Sequence, residues 1–342
     1  METKWPCRIA ALTVFALTAS RGFAADPAAE MASFSAFDKV DLALLAKSDL
    51  KTAHGVATSN PRFASVQSCY VAPGSPAQHL AAMRDWSPTR HSELKVYLHN
   101  DLSAGATAAS FAKLGSAPDN SDVRALAAAT QKPSPELQIS REEAKKLPTG
   151  AAGGGAFPTP VAGFWAELLA ARARAFSSGG AGGQPSYDYS GKPIRPGDEL
   201  RAMLAQQEKV RRQFSGLIES TGIGRGAGSL KPEMYWELLQ VEDSAVLTLG
   251  ASYSKAGPNG SYQAADTLYY ASGGYYAGVT LSQLWPVEVG GKASTLVWRG
   301  DLISAASLAE LHGIERIASE SQMMKDISRA VTFFRRDTSG GR

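Results

Sequence analysis

Residues 235–303 read, in five apolar segments, YWELLQV (235–241), VLTLGASY (246–253), YQAADTLYYA (262–271), YYAGVTLSQLW (275–285) and TLVWRGDLI (295–303). Each segment is rich in β-branched or aromatic residues, a composition typical of strands. The gaps contain Pro258-Asn259-Gly260, Gly273-Gly274 and Gly290-Gly291, which supply the positive φ angles that tight hairpins require. The sequence therefore predicts a meander of antiparallel strands.

A long amphipathic segment follows these strands. Its charged residues fall on one side, and its apolar residues recur at helical spacing on the other, at Ile314, Ile317, Met324, Ile327, Val331 and Phe334. A helix with one apolar stripe must bury that stripe, and the preceding sheet is the nearest partner. We therefore predict an α+β fold in which an antiparallel sheet grips a long C-terminal helix over residues 230–336, with a flexible tail at 337–342.

Residues 25–102 are expected to supply the first part of the same domain. Residues 28–50 have helical apolar spacing, and residues 63–71 read as a strand. Ser75 and Pro76 are typical of a helix start, and Pro88 ends that helix after about Trp86. A second strand is predicted at 93–99.

Residues 103–229 have a different composition, rich in alanine and glycine. Helical stretches are predicted at 122–131, 141–146, 161–176 and 197–220, and glycine-rich runs occur at 150–155, 179–183 and 222–228. Because such runs behave as flexible loops or linkers, we interpret this region as a helical insertion between the two strand-rich parts.

The first 24 residues have the order of a secretory signal peptide. Lys4 and Arg8 form a basic region, residues 9–19 are apolar, and Gly22-Phe23-Ala24 is a small-x-small cleavage site. The apolar stretch is too short to span a bilayer, and no later segment has 18 uninterrupted apolar residues. We expect an exported protein, periplasmic or secreted, with no transmembrane segment in the mature chain.

Charge and cysteine content exclude two classes of protein. The formal net charge is +3, and cleavage would remove three cations (Lys4, Arg8, Arg21) and one anion (Glu2), which leaves +1. A nearly neutral chain lacks the basic surface that nucleic acid requires. The mature chain keeps one cysteine, Cys69, so it forms no internal disulfide, and we predict that Cys69 is a small buried hydrophobic side chain.

No motif in the chain indicates a cofactor or a metal. His79, His91 and His99 are spaced by 12 and 8 residues, which matches no compact metal-ligand motif even with Asp101 nearby. The glycines of residues 222–228 look like a dinucleotide-binding loop, but they follow a predicted helix instead of a strand. We therefore expect neither cofactor nor metal.

Three stretches carry a resemblance to a known family. Residues 65–76 (SVQSCYVAPGSP) look like a first strand and its turn into a helix, Arg84-Asp85-Trp86 resembles a Leu-x-Asp-aromatic stretch, and residues 295–334 look like a last strand and its helix. Together they resemble the helix-grip fold of the START-like superfamily of lipid- and hydrophobic-ligand-binding domains and polyketide cyclases, over residues 50–100 and 230–336. The insertion of over 100 residues departs from that pattern. The resemblance implies a cavity between sheet and helix, and a hydrophobic small molecule or lipid as ligand.

Aromatic residues on consecutive strands are candidates for lining that cavity. Side chains alternate along a strand, so Tyr269 and Tyr270 are expected to point to opposite faces. Leu268 makes the face of Tyr270 the more apolar, so we predict that Tyr270 faces the helix and that Asp266 lies at the cavity mouth or pairs with Arg299. The predicted ligand-binding residues are Tyr270, Leu268, Asp266, Tyr276, Trp298 and Arg299.

Three functions remain open at this point. The first is a binding protein for an apolar or amphipathic small molecule. The second is an enzyme acting on a lipid or polyketide-like substrate, in which a tyrosine, Asp266, Arg299 or Asp301 supplies acid and base; buried charge would favour it, because a carrier has no need to bury charge. The third is a structural or interaction protein of the envelope with a filled core, which a cavity of a few hundred Å³ would disfavour.

Overall fold

The computed structural model describes residues 26–47, 50–148 and 157–339. The proposed signal peptide, the glycine-rich run at 150–155 and residues 340–342 of the predicted tail lie outside them, whereas residues 337–339 of that tail belong to the C-terminal helix. The strands are β1 Lys51–His54, β2 Phe63–Pro73, β3 Val96–Leu102, β4 Glu233–Val241, β5 Ser244–Ala256, β6 Tyr262–Ala271, β7 Tyr275–Val289 and β8 Lys292–Ala305. The helices are α1 Pro27–Phe34, α2 Leu42–Ala46, α3 Pro76–Asp85, α4 Ser121–Gln131, α5 Arg141–Ala144, α6 Thr159–Gly179, α7 Pro196–Ala205, α8 Glu208–Gln213, α9 Ser215–Thr221 and α10 Ile314–Ser339.

The eight strands form one antiparallel sheet in the order β1-β2-β8-β7-β6-β5-β4-β3. Strands β4 to β8 are the predicted meander, and the positive φ angles of Asn259 (54°), Gly260 (75°) and Gly274 (71°) occur in its turns as expected. The first long strand, β2, pairs with the last, β8, from Phe63 opposite Ser304 to Pro73 opposite Ser294. Helix α10 follows β8 and therefore begins near β2, and its later turns cross back over the sheet.

One face of the sheet, here called the grip face, is covered by α10 and α3. Ile327, Val331 and Phe334 of α10 are buried there, and Ile327 and Val331 pack with Val66, Tyr70, Leu284 and Val297 of the strands. This confirms the α+β fold with a gripped C-terminal helix. The predicted stripe is buried only in its second half, because Ile314 and Ile317 are 85% and 58% exposed.

The first turns of α10 lie beside the β1–β2 edge instead of over the sheet. Arg316 donates to the Pro61 carbonyl (2.6 Å), and Glu320 contacts His54 (2.7 Å). Polar contacts with the edge therefore hold the part of the helix whose apolar side chains stay in solvent. Strand β1, which forms this edge, has no predicted counterpart in the sequence.

The opposite face, here called the insertion face, is covered by helices of residues 103–229 together with α1 and α2. Trp165 and Phe176 of α6 and Phe214 after α8 belong to the same buried cluster as Trp236 and Trp298 of the strands. The sheet is therefore buried on both faces. Cys69 lies in this cluster and is buried, as predicted, and burial raises the pKa of its thiol to about 12.

Two predicted helices are shorter segments in the structure. Residues 28–50 form α1 and α2, and the side chains of Asp26 and Asp41 accept hydrogen bonds at the two helix starts. Residues 197–220 form α7, α8 and α9. Apolar spacing alone did not reveal these breaks, because each short segment still places apolar side chains in the core, as Phe34, Leu45 and Leu217 do.

Two of the glycine-rich runs, 179–183 and 222–228, pack against each other in the structure. The Gly182 amide donates to the Arg225 carbonyl (2.7 Å). A Cβ atom on Gly180 would lie 2.5 Å from the Gly226 carbonyl oxygen, and one on Gly197 would lie 2.8 Å from that of Ala181. Glycine is required here because two backbones approach too closely for any side chain.

Candidate functional site

A cavity of about 320 Å³ lies between the grip face and the helices that cover it. Its roof is apolar. From α3 and the segment after it come Leu80, Met83, Trp86 and Pro88, and from α10 come Ala330, Val331 and Phe334. Helix α3 is fixed at its start by a capping box between Ser75 and Gln78, so the position of its apolar side chains is set locally.

The floor of the cavity is polar and comes from neighbouring strands. Residues two apart on a strand share a face, and pairing places these residues side by side across the sheet. Ser252 of β5 is opposite Asp266 of β6, which is opposite Thr280 of β7. The floor also includes His99, Tyr235, Glu237, Ser282 and Arg299.

Gly250 leaves room for the side chain of Tyr235 to cross the neighbouring strand. Tyr235 on β4 is paired with Gly250 on β5, and a Cβ atom there would overlap the Tyr235 ring. The ring therefore lies across β5, and its Oη donates to Oδ1 of Asp266 on β6 (2.6 Å). Ser252 Oγ donates to the other oxygen, Oδ2.

Asp266 is a carboxyl group deep among protein atoms that keeps part of its surface open to the cavity. Burial raises its pKa, and the hydroxyl donors Ser252 and Tyr235 oppose that shift. Burial and the neighbouring Asp266 also raise the pKa of Tyr235 well above its ordinary value, so Tyr235 is a neutral donor.

Arg299 is paired with Asp301 on the same strand. Its Nε and Nη2 donate to the two carboxylate oxygens of Asp301, at 2.8 and 2.7 Å, and Thr280 donates to Oδ1 at 2.7 Å. Burial opposes the charge of Arg299, but the Asp301 carboxylate outweighs it and the pKa is raised. This guanidinium is therefore a permanent cation with its own counter-charge.

His99 lies at the open side of the floor beside Glu237. Its Nδ1 is 3.0 Å from Glu237 Oε1, its Nε2 is 3.8 Å from Asp101 Oδ1, and its ring is stacked 5.5 Å from that of Tyr235. The hydrogen bond with Glu237 raises the His99 pKa against the opposing effect of burial. Asp101 is 96% exposed, and Arg84 pairs with Glu233 (2.9 Å) close by, so these side chains mark the mouth of the cavity.

The other two histidines considered in the sequence lie elsewhere. His79 is buried, with Nε2 3.0 Å from Tyr70 Oη, and burial lowers its pKa to about 4. His91 Nε2 is 2.7 Å from Asp337 Oδ2. Within the described ranges, no group of three or more His, Cys, Asp or Glu side chains is placed to hold a metal ion.

Asp266 and Arg299 of the predicted ligand-binding residues line the cavity. Leu268 shares the face of Asp266 but lies farther along β6, against the cluster of Val241 and Val246. Tyr276 and Trp298 belong to the core on the insertion face, where they contact Tyr187 and Phe34, respectively.

The prediction that Tyr270 faces α10 is wrong, because β6 contains a β-bulge. Leu249 pairs with Tyr270 and Gly250 with Leu268, which leaves Tyr269 as an extra residue. A bulge interrupts strict alternation, and both tyrosines turn to the insertion face. Phe176 stacks on Tyr269 (3.7 Å), and the Arg172 guanidinium lies 4.3 Å over the Tyr270 ring.

Asp337 ties the roof together at the end of α10. Its Oδ2 accepts from Trp86 Nε1 (2.9 Å) and contacts His91 Nε2 (2.7 Å). The Phe334 ring packs edge-on against Trp86, and His91 stacks on Phe333 at 4.3 Å. These contacts, here called the Asp337 latch, join the segment after α3 to α10 beside the cavity.

Sequence reasoning missed Tyr235, Glu237, Trp86 and His99 as site residues. Alternation along β4 places Tyr235 and Glu237 on one face, but nothing in the sequence showed that Gly250 opens a path to Asp266. Trp86 and His99 come from the first part of the chain, and their partners are more than 130 residues away.

No protein-family model matches this chain, and neither a curated protein nor a solved structure does. In the described part of the chain, no helix combines the length and apolar composition needed to cross a membrane. What the chain does must therefore be inferred from its own geometry.

Proposed function

We propose that this protein binds an apolar or amphipathic small molecule in the cavity between the sheet and α10. The observation that carries this is the cavity of about 320 Å³ with an apolar roof and a polar floor. Small-molecule pockets have volumes of roughly 300–1,000 Å³. An apolar chain fits against Leu80, Val331 and Phe334, with its polar end directed to the floor.

The same proposal includes a distant START-like, helix-grip origin. It is supported by the pairing of β2 with β8, by the capped helix α3 after β2, and by α10 crossing back over the sheet. The helical region between β3 and β4 adds a second layer on the insertion face and leaves the grip face open for a ligand.

Binding is tested with N-phenyl-1-naphthylamine, a neutral dye that fluoresces in apolar surroundings. We expect saturable binding by the unaltered protein. Ala330→Trp places a large side chain in the roof and should weaken binding at least about tenfold, whereas Thr332→Trp, at an exposed position of the same helix, should leave it unchanged. Equal binding by the two variants would contradict the proposed site. No binding of any apolar dye would favour the third possibility, a structural or interaction protein without a ligand.

Export is part of the proposal and rests on residues 1–24. The basic residues, apolar stretch and Gly22-Phe23-Ala24 predict a mature chain that starts at Ala25, in the periplasm or outside the cell. N-terminal sequencing of protein recovered from a bacterial envelope should return Ala25, and recovery of Met1 would refute the cleavage.

Catalysis on a lipid or polyketide-like substrate is the second candidate. It is favoured by the inward-facing charge, above all by His99 held by Glu237 in hydrogen-bond contact, the arrangement of a general base and its orienting carboxylate. The unaltered protein and His99→Gln would be incubated with lipid extract and the mixture followed by mass spectrometry. A product formed by the unaltered protein alone supports catalysis; unchanged lipid profiles with retained dye binding support a carrier.

A further inference from the structure

Among the described residues that line the cavity, every charged side chain except Asp266 has an oppositely charged or histidine partner within 4 Å. Both arginines that line it are already paired, Arg299 with Asp301 through two hydrogen bonds and Arg84 with Glu233 at the mouth. Asp266 differs from them. Among the described residues its hydrogen-bond donors are the neutral hydroxyls of Tyr235 and Ser252, and Arg299 acts on it only at longer range.

A buried carboxylate without a cation is costly, and the two hydroxyl donors offset only part of the cost of its burial. They also fix its orientation, because each oxygen is held by one donor. A carboxylate oxygen has two acceptor positions, so each oxygen keeps one for a ligand. Asp266 is thus a positioned anion on the floor of a cavity with an apolar roof.

Aromatic rings surround the same space. The Tyr235 ring lies beside Asp266, and Trp86 and Phe334 line the same cavity from the roof. The face of an aromatic ring attracts a cation, and this attraction grows when both are removed from water. Aromatic rings beside a carboxylate favour the binding of a substituted ammonium group, whereas an anionic headgroup would be repelled by the like charge of Asp266.

We propose that the polar end of the ligand is a cationic nitrogen, an alkylammonium or quaternary ammonium group, seated against Asp266 and the Tyr235 ring with its apolar chain under α10. This inference rests on the proposed binding function and names its ligand class. A lipid headgroup and a free amphiphilic amine share this chemistry.

Three decyl compounds test the ligand class on the full-length protein. Decyltrimethylammonium, decanol and decanoate have the same chain and differ in charge; each would displace N-phenyl-1-naphthylamine at concentrations below micelle formation. We expect the cation to bind about tenfold more tightly than decanol, and decanoate more weakly than decanol. In a second arm, vesicles of phosphatidylcholine supply the quaternary ammonium as a lipid headgroup. Displacement of the dye by the vesicles would indicate a lipid headgroup, and displacement by decyltrimethylammonium but not by the vesicles would indicate a free amine.

Asp266→Asn keeps the size of the side chain and an oxygen acceptor while it removes the charge. It should lower the affinity for decyltrimethylammonium about tenfold and leave that for decanol unchanged. Glu288→Gln removes the same charge at an exposed position on β7 and should change neither the affinity for decyltrimethylammonium nor that for decanol.

The outcomes separate the inference from the proposed function. Decanoate binding as tightly as the cation would overturn the inference, as would equal losses for cation and decanol in Asp266→Asn. If decanol and the neutral dye both fail to bind, the proposed function fails as well. The comparison of the three ligands on the unaltered protein needs no substitution, so poor folding of a variant does not affect it.

Discussion

Gly250 decides the geometry of the floor at the scale of a single residue. It allows the Tyr235 ring to cross β5 and hold Asp266 from two strands away. Only the contacts around Gly250 show this role, because a glycine inside a strand otherwise weakens the strand.

Gly250→Ala should therefore displace Tyr235. The new methyl group overlaps the ring, and we expect a loss of about 1–3 kcal/mol in the free energy of unfolding, as for other overpacked sites. Gly163→Ala is the control, because that helical glycine has open space around it and alanine there should be neutral or stabilising. Chemical denaturation of both variants measures the difference; equal stabilities would mean that β5 is not crowded at Gly250.

His99 should titrate above its ordinary value of 6.5, because the hydrogen bond with Glu237 favours the protonated ring. This interaction contributes stability that is fully present below pH 6.5 and is lost as the pH rises through the raised pKa of the folded state. Glu237→Gln should bring the pKa down. Proton NMR of the imidazole reports it directly, and an unshifted value in the unaltered protein would contradict the pairing.

Helix α10 shows at the scale of an element how one amphipathic stripe can have two environments. Ile327 is 9% exposed under the helix, whereas Ile317 of the same stripe is 58% exposed at the sheet edge. Helical periodicity predicts which side chains share a face. The position of the helix on the sheet determines how many turns of that face are covered.

Ile327→Asp should cost several kcal/mol, because it places an unpaired charge against Val66 and Val297. Ile317→Asp makes the same chemical change on the exposed part of the stripe and should alter stability little. Thermal unfolding distinguishes them, and a similar melting temperature for both variants would show that α10 does not grip the sheet.

The Asp337 latch should control access to the cavity. Hydrogen bonds from His91 and Trp86 lower the pKa of Asp337 below its ordinary value of 3.8. The latch is therefore intact above pH 3.8 and is lost as the pH falls through the lowered pKa of the folded state.

Asp337→Asn should loosen the latch at neutral pH and speed release of bound dye severalfold. Asp326→Asn removes an exposed carboxylate from the same helix, away from Trp86, and should leave the release rate as it is. Stopped-flow displacement measures both rates, and identical rates would mean that the roof opens elsewhere.

The whole molecule is a sheet buried on both faces. The large core lies on the insertion face, where Trp165, Trp236 and Trp298 are fully buried, whereas the grip face contains the cavity. The helical region therefore supplies much of one of the two layers that cover the sheet, although its glycine-rich runs indicated loops.

Replacement of residues 103–229 by a short linker should prevent folding, because it would expose Tyr269, Trp236 and Trp298 to water. The unaltered chain should unfold in one cooperative transition. Circular dichroism with calorimetry tests both expectations; a shortened chain that folds and melts cooperatively would show that the insertion is an independent unit.

The sequence by itself determined the strand meander, its turns and the gripped helix, because alternation, turn glycines and helical spacing are local properties of the chain. It also identified Asp266 and Arg299 as inward-facing residues. The tertiary structure alone decided the β-bulge that turned Tyr270 away from α10, the Gly250 gap, and the meeting of His99 with Glu237 across 138 residues. These features depend on pairing register and close approach between distant segments, which no local pattern encodes.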